Sequence, residues 1–153
     1  MSVFVLLSII GLTACADPGK TPAEDASATA DVEAVSVSGS EGSFSFNVTV
    51  RSPDRDCSQY ADWWEVLGED GALLYRRVLN HSHPDEQPFA RSGSPIPVAG
   101  DQVVIVRAHM NPGGYGGAAM KGTAGGGFEA AEVAGDFAAG VEATAPLPEE
   151  CWY

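Results

Sequence analysis

The sequence has 153 residues and a formal net charge of −13, from 21 acidic and 8 basic side chains. Hydrophobic residues make up 44% of the chain, which is enough for the packed core of one domain. Such an excess of acidic residues repels phosphate backbones and anionic membrane surfaces, and this excludes nucleic-acid binding.

The chain begins with an apolar run over residues 3–12, which is too short for a membrane-spanning helix and has the length of a signal-peptide core. It ends in Leu12-Thr13-Ala14-Cys15. This tetrapeptide resembles the lipobox of bacterial lipoprotein precursors, although no Lys or Arg precedes the apolar run. The resemblance implies a signal peptide over residues 1–14 and a lipid-bearing Cys15 that anchors the protein in a membrane. An ordinary secretory signal and a buried N-terminal strand are the alternatives.

The residue after Cys15 is Ala16 and not the Asp that resembles an inner-membrane retention signal. In a Gram-negative cell this favours the outer membrane, with the domain facing the periplasm or the surface. Residues 16–31 lack aromatic and β-branched aliphatic side chains, so that this segment cannot bury enough surface to offset its ordering entropy. We expect residues 15–31 to form the lipidated cysteine and a disordered tether.

The remainder, residues 32–153, is predicted to be an all-β domain. The 18 glycines and 10 prolines favour many turns, and apolar and polar residues alternate strictly over 44–50. The strand over 103–110 places Val104, Val106, Ala108 and Met110 on one face and Val103, Ile105, Arg107 and His109 on the other. The other predicted strands are 32–38, 61–67, 73–79 and, at an edge because of its prolines, 95–98, with a last strand at 118–122 or 128–133.

About seven short strands separated by turns indicate an antiparallel β-sandwich. Their order resembles an immunoglobulin-like or fibronectin-III-like sandwich, and Trp63 and Trp64 in the third strand are similar to the core tryptophan of that superfamily. If Cys15 is lipidated, Cys57 and Cys151 remain. We expect them to form a disulfide that attaches the C-terminal tail to the domain; free thiols or a metal site are the alternatives.

A sandwich of this order gathers three loops, 51–60, 80–91 and 111–121, at one end. All three histidines, His81, His83 and His109, fall there. Three imidazoles suit Zn or Cu, which makes a metal site one hypothesis for this end; hydrogen-bonded loop histidines are the alternative. Tyr60, Glu86 and Tyr115 are candidate residues of a contact surface at the same end.

The sequence contains no recognisable catalytic motif. The favoured hypothesis is therefore a membrane-anchored envelope lipoprotein that acts as a non-enzymatic binding or structural module and contacts a protein or a glycan through its loops. Two alternatives remain, a periplasmic Zn- or Cu-binding lipoprotein that uses the three histidines and an unrecognised hydrolase.

Overall fold

A computed structural model describes residues 28–152. The predicted signal peptide, Cys15 and the tether up to residue 27 lie outside these residues. Within 28–152, no helix is long and apolar enough to cross a membrane. This region is all-β, as predicted, and a short 3₁₀ helix at Ala139–Ala143 follows the strands. The strands are β1 (Asp31–Ser40), β2 (Ser43–Arg51), β3 (Tyr60–Gly68), β4 (Leu73–Val78), β5 (Phe89–Ile96), β6 (Val104–Asn111), β7 (Ala119–Thr123) and β8 (Gly127–Ala131).

The strands form two antiparallel sheets that pack as a sandwich, one of order β1-β2-β5 and the other of order β4-β3-β6-β7-β8. The structure has eight strands instead of about seven, because both segments that were candidates for the last strand form strands, β7 and β8. A glycine-rich turn joins β7 to β8, and Gly127 has a φ of +87°, which favours glycine. Thr123 pairs with Gly127 at this turn, so the two segments form a hairpin.

The core between the sheets follows the alternation in the sequence. The apolar residues of β2 are all buried, and those of β6 that were predicted to share a face belong to the same cluster. Trp64 is completely buried in this cluster. The edge strand β5 was predicted at 95–98 but runs over Phe89–Ile96, because small and polar residues at 92–94 interrupt its apolar pattern. It is an edge strand, as expected, and Phe89 and Ile96 contribute to the core. Period-two patterning is therefore sufficient to identify the inner faces of β2 and β6.

The outer face of the five-stranded sheet is also covered. Residues 132–152, which we call the strap, run across it and include the 3₁₀ helix. Phe137, Ala138 and Val141 of the strap pack against Leu67 and Ile105. As a result, every residue of β3 is buried.

The domain begins slightly earlier than predicted. Ala30 is 1% exposed, and the Val32 amide donates to the Ala118 carbonyl at 2.8 Å. The Ala118 amide donates in turn to the Asp31 carboxylate at 2.7 Å. Residues 28–31, which were expected to belong to the tether, thus lie against the loop that joins β6 to β7.

Candidate functional site

Two of the three predicted loops are joined by a buried carboxylate. Asp54, in the loop between β2 and β3, accepts a hydrogen bond from the Ala61 amide at 2.9 Å and another from the His83 amide at 2.8 Å. The Ser52 amide also donates to the Gln87 side chain at 2.9 Å. The loops 51–60 and 80–91 therefore form one unit, as the sandwich order implied.

A disulfide brings the strap to the same end. Cys57 is bonded to Cys151, with their Cα atoms 5.6 Å apart. The Asn111 side chain donates to the Cys57 carbonyl at 3.3 Å, which connects the third loop. The amide of Trp152 donates to the Asn80 carbonyl at 2.7 Å. All three loops and the end of the strap thus meet in one region, which we call the loop end.

The three histidines occupy different environments within this region. The His81 ring is exposed and lies 4.3 Å from the His83 ring, measured between centroids. His83 is buried and stacks on Phe89 at 4.0 Å, and burial, together with the positive charge of Arg91, lowers the pKa of His83. His109 instead stacks on Trp63 at 3.8 Å.

The Nδ1 atom of His109 lies 2.6 Å from the Asp62 carboxylate, and its Nε2 atom lies 3.4 Å from Glu142 of the strap. Burial raises the pKa of Asp62, although the hydrogen bond with His109 opposes this shift. Within residues 28–152, no group of three or more His, Cys, Asp and Glu side chains is arranged to hold a metal ion. A Zn or Cu site at His81, His83 and His109 stays a prediction.

The three predicted contact residues lie in different environments in the structure. Glu86 is exposed and forms an ion pair with Arg91 at 2.8 Å, which lowers the pKa of Glu86. Tyr60 is only 4% exposed because it starts β3 beneath the loops, and it is therefore a core residue and not part of a contact surface. Tyr115 is half-buried, with the Arg107 guanidinium 3.5 Å from its ring centroid. Burial raises the pKa of Tyr115 to about 12.

A buried ionic cluster lies under the strap, and sequence reasoning missed it. Glu65 is completely buried and accepts hydrogen bonds from Arg76 at 2.6 and 2.9 Å and from Arg107 at 2.9 Å. The Arg76 guanidinium also lies 4.3 Å from the Trp63 ring centroid, as a cation–π pair. Arg107 pairs with Glu65 across the β3–β6 ladder. The sequence placed Arg107 on one face of its strand with His109 but did not indicate that this face is covered.

The strap satisfies the remaining donors of this cluster. Arg76 donates to the carbonyls of Val141, Thr144 and Pro146, and Arg107 donates to those of Phe137 and Ala138. Both guanidinium groups are buried, and each of their nitrogen atoms has an acceptor within the protein. The cluster therefore fixes the strap on the sheet and is not an open site for an anionic ligand.

The exposed part of the loop end is apolar and acidic. Trp152 is 61% exposed and Leu147 is 42% exposed, and both lie on the strap. Sequence reasoning did not select Trp152, since the tail shows no alternation. The available signal was a tryptophan directly after a cysteine that the fold was expected to fix.

Comparison with known proteins gives one informative similarity. A protein of Halomicrobium mukohataei named "Putative lipoprotein" is 43% identical over 75 residues, which is 49% of this chain. The aligned region spans only 37% of that relative's length. No protein-family model matches the chain. No solved structure matches it either.

Proposed function

We propose that this protein is a membrane-anchored envelope lipoprotein in which Cys15 carries the lipid and the β-sandwich is a non-enzymatic binding or structural module. The observation that carries the proposal is the lipobox-like sequence Leu12-Thr13-Ala14-Cys15 after an apolar run. The name of the Halomicrobium mukohataei relative supports the same class of protein. Two or more acyl chains anchor a protein stably without a spanning helix.

The fold supports a location for the working surface. In immunoglobulin-like sandwiches, recognition loops cluster at one end, on a rigid scaffold. The grouping of β1, β2 and β5 in one sheet and of β3, β6 and β7 in the other supports an immunoglobulin-like order. The loops 51–60, 80–91 and 111–121 form the working end in this proposal, and a protein or a glycan of the envelope is the partner.

The finer localisation is also a proposal. Ala16 after Cys15 favours the outer membrane if the cell is Gram-negative, and the domain then faces the periplasm or the surface. Fractionation of inner and outer membranes would test this point separately from lipidation.

Metabolic labelling tests the anchor. The full precursor is expressed in a host with lipoprotein-processing enzymes, in the presence of an alkyne analogue of palmitate. We expect label on the protein and its recovery with the membranes, and we expect Cys15→Ser to lose both. The double variant Cys57→Ser, Cys151→Ser is the matched control, because it removes two other cysteines and should keep the label. An unlabelled wild type, or a labelled Cys15→Ser variant, would refute the anchor.

A further inference from the structure

Trp152 forms an exposed ridge between two open depressions at the loop end. One depression, of about 370 Å³, is lined by His81, Ser82, Pro84, Asp85 and Trp152. The other, of about 240 Å³, is lined by Val78, Asn80, Leu147, Glu149, Glu150 and Trp152. Within residues 28–152, Trp152 and Leu147 are the large hydrophobic side chains that are exposed, and both belong to this surface. A ligand that lies across the ridge would cover both of these side chains.

The ridge has a fixed position. The Trp152 amide donates to the Asn80 carbonyl at 2.7 Å, and Trp152 pairs with His81 in a parallel bridge. The preceding residue, Cys151, is held by its disulfide to Cys57. The backbone that carries the indole is therefore anchored on both loops, which reduces the entropy lost when a partner binds.

The charged residues that line the two depressions are all acidic. Asp85 lines one depression, and Glu149 and Glu150 line the other, while neither depression is lined by Lys or Arg. All three carboxylates are exposed, and within 28–152 none of them forms an ion pair. An exposed indole flanked by carboxylates without counterions suits a cation, since Trp is the best cation–π partner and carboxylates form charge-assisted hydrogen bonds with Lys and Arg.

We propose that the Trp152 ridge binds a cationic segment of a partner protein, with a Lys or Arg side chain stacked on Trp152 and paired with Asp85, Glu149 or Glu150. The net charge of −13 would attract such a partner at long range. A neutral glycan could stack on the indole and donate hydroxyl hydrogen bonds to the carboxylates, but it would leave their charge without a counterion. An anionic lipid surface would be repelled. This proposal rests on the binding role proposed above and not on the lipid anchor.

Calorimetric titration with a defined peptide tests the proposal. The probe is a peptide of alternating glycine with two lysines and two arginines, and the purified full-length protein is the receptor. We expect saturable binding that weakens at least threefold between 50 and 300 mM NaCl. Trp152→Ala should weaken binding at least fivefold, and Trp152→Phe should retain part of it. The triple variant Asp85→Asn, Glu149→Gln, Glu150→Gln should weaken it at least tenfold.

A second triple variant is the matched control. Glu41→Gln, Asp101→Asn and Glu132→Gln remove the same number of negative charges, from exposed positions outside both depressions. This variant should bind within twofold of the wild type. Equal losses in the two triple variants would show nonspecific attraction and overturn the proposal.

Other outcomes also overturn it. These are no binding of the peptide, binding that Trp152→Ala leaves unchanged, and preferential binding of a chitotetraose or of phosphatidylcholine vesicles. Because Cys15→Ser should bind the peptide as well as the wild type does, failure of the lipid anchor and failure of the ridge are distinguished.

Discussion

Glu65 is a completely buried carboxylate that serves as the counterion of two buried arginines. Removing a carboxylate from water costs several kcal/mol, and this cost is offset only when its partners are close and its hydrogen bonds are complete. Here Arg76 and Arg107 both donate to Glu65, and their other donors reach carbonyls of the strap. One carboxylate thus supports two buried cations.

Replacing Glu65 should therefore destabilise the protein strongly. Glu65→Gln keeps the volume but leaves the charges of Arg76 and Arg107 buried without a counterion. We expect the free energy of unfolding to fall by about 3–5 kcal/mol, measured by urea denaturation. Glu132→Gln, at an exposed position, is the control and should change it by less than about 0.5 kcal/mol. A Glu65→Gln variant as stable as this control would contradict the role given to the cluster.

His83 makes stability depend on pH. It lies under His81 and against Phe89, with Asp54 3.7 Å from its Nδ1 atom, and burial and Arg91 lower its pKa below the usual 6.5. Between pH 6.5 and that lowered pKa, the unfolded chain binds a proton that the folded protein does not. The contribution of His83 is therefore complete above pH 6.5 and is lost as the pH falls.

Urea denaturation at pH 7.5 and 5.5 measures this effect. We expect the wild type to lose more unfolding free energy over this interval than His83→Gln does, because Gln does not titrate. Both proteins retain the other two histidines, which keeps those contributions matched. Parallel losses in the two proteins would rule out His83 as the source.

Single residues also show where sequence reasoning reaches its limit. A contact between one of the adjacent Arg76 and Arg77 and one of Trp63 and Trp64 could be predicted, because adjacent residues of a strand face opposite sides; which pair forms could not. The burial of Glu65 could not, because a carboxylate in a strand normally marks the solvent side. Only the strap, which covers that face, changes the environment, and its path is not encoded in any alternation.

At the scale of the elements, the strap is held by features outside itself. Its only regular element within the described range is the 3₁₀ helix Ala139–Ala143, which buries no residue completely. The guanidinium groups beneath it and the Cys57–Cys151 disulfide determine its position. In contrast, β2 and β6 were predictable from period two, whereas β5 was predicted at 95–98 and lies at Phe89–Ile96. The Tyr60 environment and the Trp152 ridge both depend on where loops and strap meet, which no local pattern specifies.

Removing the disulfide should release this element. The bond closes a separation of 94 residues, for which the chain-entropy relation gives about 4–5 kcal/mol. We expect Cys57→Ser, Cys151→Ser to lose about that amount of unfolding free energy and to be cleaved faster within residues 132–150 by a protease that cuts after acidic residues. The wild type in reductant is the control and should behave like the double variant. If the double variant is less than 1 kcal/mol weaker, the strap is held mainly by the arginines.

For the whole molecule, the chain enters the domain at the loop end. Asp31 pairs with Arg51, and Ala118 contacts both Asp31 and Val32. If Cys15 carries the lipid, the 13 steps from Cys15 to Ala28 span at most about 45 Å. The end that carries the Trp152 ridge is then also the end from which the tether leaves.

The acidic excess acts on the whole molecule as well. With 21 acidic and 8 basic residues, repulsion among exposed carboxylates opposes the compact state, while exposed pairs such as Arg91–Glu86 and Lys121–Glu69 contribute little. Salt screens exposed charges more than the buried Glu65 cluster. Raising NaCl from 20 to 300 mM should therefore raise the melting temperature, on the order of 4 °C for about 1 kcal/mol. Glu41→Gln, Asp101→Asn, Glu132→Gln carries less charge, so its rise should be smaller. A melting temperature that falls with salt would mean that favourable exposed ion pairs outweigh the repulsion.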